Sequence, residues 1–141
     1  MKNNKTVIIT GGGTGIGKGI ALKLAKNNFN IILASRNISN LQKVKEECNK
    51  LNNHNVITVQ TDVTDSDSVS NLFEIVKDKF KKLDVLINNA GVFDGGPVDK
   101  LDIETWDKVL NINLRGAFLC LREAMKIMKP QKSGKIINIG S

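Results

Sequence analysis

Alternating strand and helix signals predict an α/β fold, a doubly wound parallel sheet of strand order 3-2-1-4-5. Five short apolar segments alternate with amphipathic helical ones along the 141 residues. Each short segment is apolar on both faces, as strands are when helices cover both sides of a parallel sheet. No linker, repeat or low-complexity tract divides the chain, and right-handed crossovers favour the doubly wound order.

Val7–Thr10 is the first strand, ended by a Gly- and Thr-rich turn, after which Ile16, Ile20, Ala21 and Leu24 recur at helical spacing until Asn27-Asn28. Ile31–Ala34 is the second strand. Ser39 with Gln42 three residues later forms a capping box, and Leu41, Val44, Cys48 and Leu51 make the inner face of the next helix, with Lys43/Glu47 and Glu46/Lys50 pairs outside. Val56–Gln60 is the third strand. The Thr64–Asp67 cluster opens a helix whose inner face is Val69, Leu72, Phe73, Val76 and Phe80. Val85–Asn88 is the fourth strand, followed by a loop with Asp94-Gly95-Gly96-Pro97. One long helical stretch follows, with Leu114, Phe118, Leu121, Met125 and Met128 as its face and Pro130 as its stop. Lys135–Ile139 is the fifth strand.

Composition narrows the function. The formal charge is +7, from 21 Lys and Arg against 14 Asp and Glu, yet the Lys are spread over successive segments and only three Arg and no Tyr are available for base contacts, so no nucleic-acid partner is expected. Cys48 and Cys120 stand far apart without a CxxC pattern or paired His, which points to neither a disulfide framework nor a metal site. No signal-peptide core or membrane-length apolar run occurs, and a cytoplasmic location is expected.

In a doubly wound sheet, ligands meet the carboxyl ends of the strands. Gly11, Gly15 and Gly17 form Gly-x-x-x-Gly-x-Gly between a strand and a helix, bringing backbone N–H groups and the positive helix end to a pyrophosphate. Gly12–Lys18 also fits a P-loop, but Gly19 stands where that motif needs a magnesium-ligating hydroxyl. The second strand ends in Ser35-Arg36 with no carboxylate, and Arg36 suits a ribose phosphate. NADP(H) is therefore favoured as cofactor, with NAD(H) the alternative.

Three motifs in order, TGGGTGIG at Thr10–Gly17, Asp62-Val63, and NNAG at Asn88–Gly91, resemble the short-chain dehydrogenases/reductases, a Rossmann-like family, along the whole chain. Within that family the resemblance is to the classical 3-oxoacyl-carrier-protein reductase type. It implies that Gly11, Thr14, Gly15, Ile16 and Gly17 line the pyrophosphate, that Asp62 and Val63 hold the adenine, and that Asn89, Ala90 and Gly91 border the ribose. It also implies two catalytic residues, Asn113 in NINLRG as anchor of a proton relay and Ser141 as the group orienting the substrate oxygen. The substrate class implied is a small carbonyl/alcohol pair.

The family's Tyr-x-x-x-Lys segment is missing, and the chain contains no Tyr. Residues 1–141 are thus expected to be an NAD(P)-binding Rossmann domain truncated after strand 5, incomplete at its C-terminal side and inactive as written. The alternative is a non-catalytic nucleotide-binding or regulatory module. Apolar residues beyond one helix face (Trp106, Leu110, Ile112, Leu114, Ala117, Phe118 and Leu119) match the family's subunit interface, so the full-length protein is expected to be a homo-oligomer.

Overall fold

A computed structural model describes residues 4–51 and 53–140. Five parallel strands, β1 (Thr6–Thr10), β2 (Asn30–Ser35), β3 (Val56–Gln60), β4 (Val85–Asn88) and β5 (Lys135–Asn138), form one sheet in the order β3-β2-β1-β4-β5. The expected topology is the observed one. Ile8, Ile32 and Leu86 point to one face, where α3 (Ser66–Phe80) and α5 (Gly116–Gln131) cover them. Val7, Ile9, Ile31, Leu33 and Ile87 point to the other, under α1 (Gly15–Ala25) and α2 (Ile38–Lys50). Successive strand residues serve opposite faces, so the strands read as unbroken apolar runs.

Helix boundaries correct the expectations at several points. Asn37, not Ser39, caps α2: its side chain accepts from the Asn40 N–H at 3.0 Å, which leaves Ser39 inside the helix. Neither outer pair expected on α2 forms among the described residues; in the Lys43/Glu47 pair, Glu47 turns instead to Lys18 of α1 at 2.8 Å. Asp65, from the Thr64–Asp67 cluster, caps α3 by accepting from Asp67 N–H. Pro130 sits within α5 without ending it, and the helix closes at Gln131 with Lys132 in the left-handed region.

The long helical stretch is three pieces: α4 (Ile103–Leu110), a π-helical turn over Asn111–Arg115, and α5. A π turn inserts one residue into the helical phase and rotates everything after it. Of the expected inner face, Met128 is buried but Leu114, Phe118, Leu121 and Met125 are exposed, and Gly116, Leu119, Cys120, Glu123 and Ala124 are buried in their place. Half of the buried set is small, and at Gly116 the helix lies close: a Cβ there would fall 2.8 Å from Val63 Cγ2. Glu123 is buried with its charge answered by Lys126 at 2.7 Å.

A buried threonine locks the centre of the sheet. Thr10, at the end of β1, accepts through Oγ1 from the N–H groups of Asn89 and Ala90, each at 3.0 Å, and donates to the Ile87 carbonyl at 3.4 Å. These bonds hold the chain leaving β4 against the end of β1. Replacing Thr10 by Val keeps the shape and removes the acceptor, leaving two N–H groups unpaired. We expect a loss of about 3 kcal/mol in unfolding free energy, measured by urea denaturation.

Candidate functional site

The sheet order reverses between β1 and β4, the place where a doubly wound sheet opens a crevice. The glycine turn crosses it. Gly11 and Gly15 have φ of +64° and +52°, left-handed values open to Gly at no steric cost. Gly11 N–H donates to the Ala34 carbonyl at 2.8 Å, hooking the turn onto the end of β2. Asn89 Nδ2 donates to the carbonyls of Thr10 and Gly11 at 3.1 and 3.2 Å. Gly17, in the first turn of α1, faces this junction, and a Cβ there would collide with the Gly11 carbonyl oxygen and Asn89 Nδ2. Thr14 precedes the helix in extended conformation with no side-chain capping bond, so the first N–H groups of α1 are left to an outside acceptor.

Three cavities adjoin this turn. The first, about 670 Å³, runs from Gly11 and Thr14 past Ser35 and Arg36 to Gln60. No carboxylate lines it. Ser35 Oγ donates to the Asn37 carbonyl at 3.4 Å, and Gln60 Nε2 donates to the Arg36 carbonyl at 2.9 Å, fixing the backbone from which the exposed guanidinium projects.

The second cavity, about 140 Å³, lies between the ends of β2, β3 and β4, with Asp62, Val63, Ala90, Gly91 and Ile112 on its wall. Asp62 Oδ1 accepts from Thr64 N–H at 2.9 Å and Thr64 Oγ1 at 2.8 Å. These two bonds, the backbone one first, hold its carboxyl below the ordinary carboxylate range, and the Arg36 charge adds to the effect.

The third cavity, about 410 Å³, is bounded by Ile16, Asn89, Gly91, Asn113, Asn138 and Gly140 among others. Asn113 sits in the π turn and clasps Val92 on both sides, accepting from its N–H and donating to its carbonyl, each at 2.8 Å. Beneath it Asn88 Nδ2 donates to Asn138 Oδ1 at 3.0 Å, bracing β4 to β5, while Asn88 Oδ1 is buried without a partner among the described residues.

Most of the predicted site residues thus gather around one crevice. Gly11, Thr14, Ser35 and Arg36 share the first cavity; Asp62, Val63, Ala90 and Gly91 the second; Ile16, Asn89 and Asn113 the third, where Ala90 and Gly91 reappear. Gly15 and Gly17 shape the turn without lining a cavity. Ser141 lies outside the described residues. The site residues not anticipated are Gln60, Ile112, Asn138 and Arg115, whose Nη1 donates to the Thr64 carbonyl at 2.6 Å. Asn138 had a readable signal, a polar residue in an apolar strand; the other three had none.

Fold and crevice together define a doubly wound α/β protein with a three-part cleft at its β1/β4 switch point. The chain belongs to the short-chain dehydrogenase family, whose model matches residues 5–141. It is 35% identical over 138 residues to a protein described as an uncharacterized oxidoreductase from Staphylococcus aureus (strain MW2), covering 98% of this chain and 58% of that one. It is 36% identical to a 3-oxoacyl-[acyl-carrier-protein] reductase of Synechocystis sp., covering 97% of this chain and 56% of that one. A crystal structure of an actinorhodin polyketide ketoreductase variant with NADPH superposes with a TM-score of 0.95 at 28% identity, over all of this chain and 54% of that one. A metagenomic short-chain oxidoreductase in complex with NADP gives a TM-score of 0.91 at 32% identity, over 97% and 62%. The chain spans a little more than half the length of the curated relatives it matches. Among the described residues no helix is long and apolar enough to cross a membrane.

The depressed Asp62 titration fixes a pH dependence. Its folded pKa lies below its unfolded value of about 3.9, so its bonds stabilise the chain above that pH and are lost as pH falls through the folded value. Asp62→Ala is expected to be less stable than wild type at pH 7, with the gap narrowing below about pH 4, in urea unfolding at both pH values.

Proposed function

We propose that residues 1–141 are the NADP(H)-binding domain of an oxidoreductase that interconverts a small carbonyl compound and its alcohol. One observation carries the cofactor preference: Arg36 stands at the end of β2 beside a cavity of about 670 Å³ that has no carboxylate on its wall. A ribose phosphate there meets a guanidinium able to fork onto it, where an acidic residue would repel it. The glycine turn fits a pyrophosphate, since the position of Gly17 tolerates no side chain and the α1 N-terminus has N–H groups to give. Two structural neighbours, solved with NADPH and in complex with NADP, support the same reading.

In this reading Gly11, Thr14, Gly15, Ile16 and Gly17 hold the pyrophosphate, Ser35 and Arg36 the 2′-phosphate, Asp62 and Val63 the adenine, and Asn89, Ala90 and Gly91 the ribose. The cofactor, when bound, supplies the hydride. Asn113 keeps the wall of the third cavity in place through Val92 and anchors a proton relay, while Ser141 orients the substrate oxygen. A reduction also needs a proton donor aimed at the developing alkoxide, and this chain contains no Tyr to serve as one. Residues 1–141 are accordingly read as binding cofactor without turning over substrate. The apolar stripe of Trp106, Leu110, Leu114, Phe118, Leu121 and Met125, exposed along α4 and α5, is read as a subunit contact of the whole protein.

Arg36→Ala separates the two cofactors. The Kd for NADPH is expected to rise roughly tenfold or more while that for NADH changes less than about twofold, read by fluorescence titration of the reduced nicotinamides. Equal losses for both would remove Arg36 from the phosphate.

A further inference from the structure

The π turn between α4 and α5 grips two loops at once. On one side Asn113 clasps Val92, in the loop after β4. On the other, Arg115 Nη1 donates at 2.6 Å to the carbonyl of Thr64, in the loop after β3 and 51 residues away in sequence. Thr64 in turn donates both its N–H and its hydroxyl to Asp62 Oδ1. Next to Arg115, Gly116 packs against Val63 so closely that an added Cβ would lie 2.8 Å from Val63 Cγ2. Ile112, in the same turn, lines the cavity of about 140 Å³ together with Asp62 and Val63. The joint between helix and loop therefore has an apolar half, Gly116 on Val63, and a polar half, Arg115 on Thr64.

We propose that Arg115 is a positioning residue for the adenine end of the cofactor: it pins the Asp62–Thr64 loop to the turn that carries Asn113. The inference rests on the cofactor reading above. Its physical basis is the use of the guanidinium. Arg115 is exposed, yet it spends one guanidinium donor on a neutral carbonyl that no other described side chain reaches, across 51 residues of sequence. Without it the loop keeps its local Asp62–Thr64 bonds and loses its anchor to the helix, so Asp62 and Val63 no longer hold one position relative to Ala90 and Gly91 across the cavity.

The test titrates the 141-residue chain with 2′,5′-ADP, which carries the adenine end alone, and with inorganic pyrophosphate, which has charge and no base. Arg115→Ala is expected to raise the Kd for 2′,5′-ADP roughly five- to tenfold and to leave that for pyrophosphate within about twofold; Arg115→Lys, which keeps a charged donor, restores most of the affinity. A general loss of charge or of fold would weaken both ligands together, and that result, like an unchanged 2′,5′-ADP affinity, overturns the proposal. Arg115→Gln replaces the alanine variant if the latter does not fold, with the same pattern at smaller amplitude. If the wild-type chain binds no 2′,5′-ADP at all, the cofactor reading fails by itself. The 13C shift of the Thr64 carbonyl in the ligand-free chain then judges Arg115: an upfield move in Arg115→Ala, as that carbonyl loses its donor, supports the anchor, and an unchanged shift refutes it.

Discussion

The hydroxyl of Thr10 meets the backbone of Asn89 and Ala90 where the two halves of the sheet diverge, and the rest of the crevice is built on that contact. Parallel strands β1 and β4 are joined by ladder bonds only as far as Ile9 and Ile87. Beyond that point the side chains of Thr10 and Asn89 replace the ladder, Asn89 giving its amide back to the Thr10 and Gly11 carbonyls. The Gly11 carbonyl and the Asn89 amide then occupy the space next to Gly17, which is why no side chain is tolerated there. Turn, helix N-terminus and the Asn89–Gly91 segment are thus positioned by one set of bonds.

The strands, their order and the location of the crevice were legible in the sequence for a simple reason. A strand buried on both faces is an apolar run such as VIIT or IILA, and strand-helix alternation leaves few topologies. Gly11, Gly15, Gly17, Arg36 and Asp62 were legible because each lies at the end of such a run. The helical half was harder. A π turn leaves no mark on hydrophobic periodicity except a change of phase, and the large residues Leu114, Phe118, Leu121 and Met125 formed a more conspicuous stripe than the small Gly116, Cys120 and Ala124 that pack inward. Asn37 and Ser39 are both good caps, and only the Asn40 N–H direction chooses between them. The bonds of Arg115 and Gln60 to distant carbonyls have no sequence signature at all.

Charge placement separates the general from the specific. Most of the positive charge is lysine, and Lys18, in the helix after the glycine turn, is spent on Glu47. Arg36 is different because no acidic group lines the first cavity with it, and in the second it stands beside Asp62. On the opposite side Asp62 has committed Oδ1 to Thr64, and it keeps the carboxylate charge over the whole neutral range. In the proposed reading the first group meets a phosphate and the second an amino group, so the two ends of the adenosine moiety are recognised by opposite charges held on adjacent strand ends.

The central claim is that this crevice is a dinucleotide site, and the most direct measurement is a two-dimensional amide NMR titration of the isotope-labelled chain with NADPH. The account predicts shifts concentrated at Gly11–Gly17, Ser35 and Arg36, Asp62 and Val63, and Asn89–Gly91, with the outer faces of α4 and α5 unmoved. No shifts at saturating NADPH, or shifts gathered away from those four segments, would contradict it.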